Sequence, residues 1–289
     1  MKLFNIILLA LFVIVIIIAS NYLGQQAYNW LPTPAALEAQ PVGDLFSFLV
    51  TLGSLVFLGV LGMLLYSIIS FRAAKGDKSD AQPIKGNLTL EIVWTVIPLI
   101  LVIWITSYSY NIYQRMNILG NLPIVHLHNP LEESAYAAEN PQASETIEVT
   151  ARQWSWSFYY PSSNITSSQL HLPLNQRVKL LLKSEDVIHG FFVPNFRIKQ
   201  DIVPNRTIEL RLTANRIGKY QLEDSQFSGT YFSLMKADVY VDSLDTYSKW
   251  LTQAKNQKPT LETNLAATEH KHYITDPAHF HWPTVVPAN

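Results

Sequence analysis

Apolar residues crowd into three long runs in the first part of the chain and then give way to short alternating ones. The first run extends from Leu3 to about Ser20, behind Lys2; the second from about Leu45 to Phe71; the third from about Leu88 to Tyr113. The second and third are long enough for α-helices that cross a ~30 Å hydrocarbon core with some tilt. The first sits at the short edge of that range and also fits the apolar stretch of a signal peptide. Its end, Ile18-Ala19-Ser20-Asn21-Tyr22, has no clean small-x-small cleavage pattern, which favours a retained helix over a removed signal. Gly53, Gly59 and Gly62 in the second run permit close helix packing.

Loop charges orient these segments. The connector 72–87 carries Arg72, Lys75, Lys78 and Lys85, whereas 21–44 carries no Lys or Arg and has Glu38 and Asp44. Positive residues stay on the cytoplasmic side. The connector 72–87 is therefore expected inside, and 21–44 and everything after Tyr113 outside.

Beyond Tyr113 the pattern changes. Residues 114–144 are mixed, polar and proline-containing, and read as a linker. From Glu145 to about Asp242 come short runs between turn signals: TIEVTARQWSWSFYY (146–160), RVKLLLKS (177–184), TIELRLT (207–213) and KADVYVD (236–242). Many short alternating strands predict an antiparallel sandwich or barrel over 145–243. One short helix is expected around Leu244 to Ala254, and the rest of the tail to Asn289 reads as irregular. No internal repeat is present.

Composition narrows the chemistry. A formal net charge of −1 argues against a general nucleic-acid binder. The chain has no cysteine, which excludes disulfides, iron–sulfur clusters and thiolate metal sites. His126 and His128 in the linker, and His270, His272, His279 and His281 in the tail, have spacings that can bind a transition metal, but in polar irregular segments they read as solvated.

Four motifs, in order, carry a family resemblance. They are Leu90-Glu91-Ile92-Val93-Trp94-Thr95-Val96-Ile97-Pro98, Gln153-Trp154-Ser155-Trp156-Ser157-Phe158, Asp186-Val187-Ile188-His189-Gly190-Phe191 and Lys199-Gln200-Asp201-Ile202-Val203-Pro204-Asn205-Arg206. Together they resemble subunit II of haem-copper terminal oxidases, the cytochrome c and quinol oxidase subunit 2 family. The resemblance implies a two-helix transmembrane hairpin (45–113) carrying a cupredoxin-like Greek-key sandwich, with the N-terminal helix or signal (1–20) in front.

In copper-containing members, two copper ions are bridged by two cysteine thiolates on one loop. A histidine and a methionine follow, and a second histidine comes from an earlier loop. Soft sulfur and imidazole suit copper. With the register set by Gly229 and Met235, the corresponding loop here has Asp224 and Ser228 at the cysteine positions and Phe232 at the histidine position. Gln226 replaces a glutamate that gives a carbonyl to copper and a carboxylate to a nearby magnesium site. Only His189 and Met235 remain, as packing remnants. No cofactor is thus expected in this chain, while haem and Cu-B are expected in subunit I. Members that lack the copper residues are typically quinol oxidases, so quinol is the expected electron donor.

Other roles follow from the same resemblance. Glu91 matches the mouth of a proton-uptake channel into subunit I; read from the residue alone, it is a helix-start carboxylate stabilised by the dipole. Trp154 matches the entry tryptophan for cytochrome electrons, followed here by Ser155 in place of the usual tyrosine, and with no copper behind it reads as a packing residue. Asp186 and Asp201 are candidates for an acidic docking surface, or for turn caps and pairs with Lys199 and Arg206. The expected partners are subunits I and III, membrane lipid and quinol. The expected place is a bacterial plasma membrane or an internal energy-converting one, with the β-domain outside. Two alternatives stay open: a cytochrome c oxidase fed by a non-standard route, and an anchored cupredoxin-like assembly module.

Overall fold

The computed structural model describes residues 2–72, 86–116, 118 and 145–257. Three helices account for the apolar runs: α1 (Lys2–Ala27), α2 (Ala39–Ser70) and α3 (Leu88–Met116). At ~1.5 Å per residue each exceeds a ~30 Å hydrocarbon core. Their large side chains, such as Leu99, Ile100, Val102 and Ile103, stand exposed, as lipid-facing residues do.

All three helices outrun the expected boundaries. α1 continues past Ser20 to Ala27, because polar Gln25 and Gln26 lower hydropathy without stopping a helix and the first breaker is Pro32. α2 starts at Ala39 rather than Leu45; Pro41 lies in its first turn, where a missing N–H costs nothing. α3 runs on from Tyr113 to Met116, into what reads as linker. At its start the Asn87 side chain accepts a hydrogen bond from Leu90 N at 3.2 Å, a capping contact. Lys75, Lys78 and Lys85, the linker histidines His126 and His128, and the tail histidines His270, His272, His279 and His281 lie outside the described residues.

The second unit is built from ten strands: β1 (Glu145–Arg152), β2 (Ser155–Tyr160), β3 (Ile165–Ser167), β4 (Leu170–Pro173), β5 (Arg177–Ser184), β6 (His189–Val193), β7 (Ile198–Ile202), β8 (Ile208–Thr213), β9 (Gly218–Asp224) and β10 (Lys236–Asp242). They form two five-stranded sheets, ordered β3-β2-β1-β5-β8 and β4-β10-β9-β6-β7. Most pairs are antiparallel, but β1 with β5 and β10 with β4 run parallel, so the sheets are mixed rather than purely antiparallel. The parallel pairs join strands distant in sequence, since a parallel pair needs a crossover connection.

Alternation in the sequence becomes alternation in burial. Trp156, Phe158 and Tyr160 of β2 point into the core, with Ile147, Val149 and Ala151 of β1 and Val178, Leu180 and Leu182 of β5. The other sheet contributes Phe191, Val193, Leu222, Val239 and Val241 to the same core. A last helix, α4 (Leu244–Lys255), is capped by Ser243, whose side chain accepts from Thr246 N at 3.2 Å. It lays Tyr247, Trp250, Leu251 and Ala254 on the core.

The segment Pro32–Gln40 folds with the strands. Ala36 bridges Ala214, Leu37 N donates to Thr213 O at 2.9 Å, and Asn215 N donates to Ala35 O at 3.0 Å. Ala35, Ala36 and Ala39 are fully buried; their small side chains let this backbone lie flush against the sheet edge.

Candidate functional site

Three connections meet at one end of the sandwich: the β1–β2 turn, the β5–β6 loop and the segment after β9. Each supplies polar groups to a buried network centred on His189, which is completely buried. Its Nδ1 lies 2.7 Å from Asp224 Oδ2 and its Nε2 lies 2.8 Å from Asp186 Oδ1. Asp224 also accepts from Gly190 N at 2.7 Å, Gln226 N at 3.0 Å and Ser228 Oγ at 2.7 Å. Asp186 accepts from Gln153 N at 2.6 Å, which ties in the β1–β2 turn.

An aromatic frame encloses the network. Trp154 is buried and donates its indole N–H to Ser228 O at 3.1 Å. Its ring meets Tyr231 edge-on at 4.9 Å. Trp156 donates to Met235 O at 3.3 Å, and Met235 is fully buried. Gly229, at φ 114°, lets the loop pass the Trp154 ring; a Cβ there would stand 2.9 Å from Trp154 Cζ2.

The fold thus brings together His189, Asp224, Ser228 and Met235. Phe232 turns instead to Phe227, at 5.3 Å between ring centroids. The Gln226 side chain donates to Asp201 Oδ2 at 2.8 Å. Glu91 lies in the first turn of α3, in the helical unit. Of the two candidate surface aspartates, Asp201 faces Lys199 at 3.8 Å, while Asp186 pairs with His189. The Asp186–His189 pair is a contact that sequence reasoning missed, although their i,i+3 spacing was visible. Glu38 was missed too: it was read only as a loop charge, yet it is buried, accepts from Thr213 N at 3.0 Å and lies 3.6 Å from Arg177.

This donor set does not fit a thiolate-bridged copper pair. Both imidazole nitrogens of His189 are engaged by carboxylates. The available oxygens are hard donors, and no sulfur bridge is encoded. Among the described residues no group of three or more His, Asp or Glu side chains is arranged to hold a metal ion.

The network behaves as a carboxylate–imidazolium–carboxylate lock. Burial works against charge on His189, but its bonds to Asp224 and Asp186 outweigh it and hold the imidazole above its ordinary pKa. Burial likewise raises both carboxyls. Donors from His189, Ser228 and Gly190 to Asp224, and from Gln153 N and His189 to Asp186, win and hold them below the usual range. A raised His contributes stability that is complete below its unfolded pKa of ~6.5 and is lost as pH rises through its folded value. Depressed carboxyls contribute above ~3.9, and that part is lost as pH falls through their folded values. The lock is therefore strongest between roughly pH 4 and 6.5. His171 works oppositely: burial outweighs its bond to Asp242 and lowers its pKa, so its share is lost as pH falls below ~6.5. Melts of the detergent-solubilised chain are expected to show a loss of stability above neutral pH that is missing in His189→Asn. An alkaline slope identical in parent and variant would contradict the assignment.

Comparison with known proteins agrees with this architecture. A family model described as cytochrome c oxidase subunit II, transmembrane domain, matches residues 23–112. One described as cytochrome c oxidase subunit II, periplasmic domain, matches residues 164–241. A cytochrome c oxidase subunit 2 from Synechocystis sp. is 31% identical over 267 residues, covering 82% of this chain and 79% of the relative. One from Thermostichus vulcanus is 30% identical over 272 residues, covering 83% of each. A quinol oxidase subunit 2 from Bacillus spizizenii is 26% identical over 233 residues, covering 79% of this chain and 67% of the relative. With three helices that can span a bilayer and a cupredoxin-like sandwich on its outer side, the chain belongs to the cytochrome c oxidase subunit II family.

Proposed function

We propose that the chain is subunit II of a haem-copper terminal oxidase that reduces oxygen to water and takes its electrons from membrane quinol. In this reading the chain carries no redox centre. It anchors the β-domain, docks on the haem-bearing subunit I beside subunit III, and contributes to proton uptake. The observation that carries the reading is the engagement of both His189 nitrogens by Asp224 and Asp186 in a chain without cysteine. Such a site offers no soft, low-reorganisation relay for electrons from a soluble cytochrome. A relative named quinol oxidase subunit 2 shows that proteins of that name stand among this chain's relatives, beside those named cytochrome c oxidase subunit 2.

The test is the purified complex. Oxygen consumption is expected with a reduced quinol and not with reduced cytochrome c, and the only copper is expected to be the Cu-B of subunit I. Turnover with cytochrome c, together with extra copper showing a mixed-valence signal, would overturn the proposal and favour a cytochrome c oxidase.

Glu91 serves the same proposal. It stands in the first turn of α3, where the positive end of the helix dipole favours a carboxylate. A carboxylate at the edge of a membrane helix is costly unless hydrated or paired, as a proton entrance is. Glu91→Ala is expected to slow oxygen reduction several-fold while the complex still assembles. Rates equal to the parent's in assembled complex would remove Glu91 from the proton path.

A further inference from the structure

We infer that α1 stays on the mature protein as a third membrane helix, seated in a face of α2 that is shaped to receive it. The helix passes without a break through Ser20, the end of the apolar run, and continues to Ala27. Ser20 itself is buried, as is Ile16 one turn earlier.

The contacts with α2 run in antiparallel register along most of α1. The Phe12 ring occupies the notch left by Gly62; a Cβ at position 62 would overlap it. Gly24 presents its bare backbone to Thr51, whose hydroxyl a Cβ at position 24 would overlap. Ser47 Oγ donates to Gly24 O at 2.7 Å, a buried bond between the two helices. At the outer end Tyr28 donates to Asp44 Oδ1 at 2.8 Å, and the Trp30 ring meets Phe46 edge-on at 6.3 Å.

From Phe12 to Trp30 the contact covers roughly 27 Å at ~1.5 Å per residue, about the thickness of the hydrocarbon core. Within lipid, helix association depends on close packing at small residues and on interhelical hydrogen bonds. Both are present here, at matched positions on the two helices. A targeting segment that is discarded needs an apolar run and a cleavable end, not a notch cut for one of its rings and a hydrogen bond to its backbone.

Two measurements test it. The intact mass of this chain, from complex purified out of its own membrane, is expected to include residues 2–20; a chain beginning at Asn21 or later would overturn the inference. A size swap gives the second. Gly62→Leu alone is expected to cause loss of most of the assembled complex, and Phe12→Ala in the same chain is expected to restore it. A Gly62→Leu chain that assembles normally, or whose defect Phe12→Ala leaves untouched, would count equally against a seated α1.

Discussion

Asp224→Ala is expected to destabilise the β-domain by about 4 kcal/mol, the cost typical of removing one partner from a buried ion pair. The residue is almost fully buried and accepts four hydrogen bonds, from His189 Nδ1, Gly190 N, Gln226 N and Ser228 Oγ. Alanine strands all four donors where water does not replace the acceptor. Asp224→Asn is the discriminating control. Its amide oxygen still serves Gly190 N and Gln226 N, and its NH₂ can donate to Nδ1 of a neutral imidazole whose Nε2–H goes to Asp186. We expect asparagine to cost only about 1.5–2 kcal/mol, at the low end of the range for hydrogen bonds to charged groups. Thermal melts of the solubilised chain, followed by tryptophan fluorescence, report on this region because Trp154 and Trp156 frame it. An alanine variant within ~0.5 kcal/mol of the parent would mean the lock contributes nothing beyond an ordinary surface substitution.

The size of that expected loss has a physical origin in what the network joins. The network draws two loops together. Here the loops are joined by hydrogen bonds from a central imidazole to a carboxylate on each side. The result is a buried cross-link between the β5–β6 loop and the segment after β9. It also extends the link to the β1–β2 turn through Gln153 N and Asp186.

Much of this was legible in the sequence. The alternating run 146–160 marked strand structure that forms β1 and β2, and the runs 177–184 and 236–242 marked two more strands. The short final helix expected around Leu244 to Ala254 spans Leu244–Lys255. Helix ends were read poorly because hydropathy reports where lipid begins, whereas a helix stops only where the backbone is broken. Gln25 and Gln26 are polar but helical, and Pro41 is tolerated in a first turn. The sheets proved mixed because parallel pairing of β1 with β5 joins strands whose local patterns are indistinguishable from antiparallel ones. The network around His189 could not be read locally either. Asp224 stands 35 positions from His189, and only the folded chain brings them to 2.7 Å.

Glu38 and Arg177 show the same limit and give the second large expectation. Arg177→Ala is expected to cost about 3 kcal/mol, because it strands the charge on a carboxylate that the sheet edge has already buried. Burial dominates both partners: it raises the Glu38 pKa against its hydrogen bond from Thr213 N and the attraction of Arg177, and it lowers that of Arg177. Without the guanidinium, Glu38 loses one of the interactions that favour its ionised form and rises further. A carboxyl with a raised folded pKa contributes stability that is complete below its unfolded value of ~4.3 and is lost as pH rises through the folded value. The deficit of Arg177→Ala should therefore shrink as the medium is acidified. Glu38→Gln placed in the Arg177→Ala chain should recover part of the loss at neutral pH, since an amide has no charge to strand and keeps an oxygen for Thr213 N. A double-mutant cycle reads the coupling directly. Simple additivity, with a deficit that does not change with pH, would show that the Glu38–Arg177 ion pair does not hold the connector 32–40 in place.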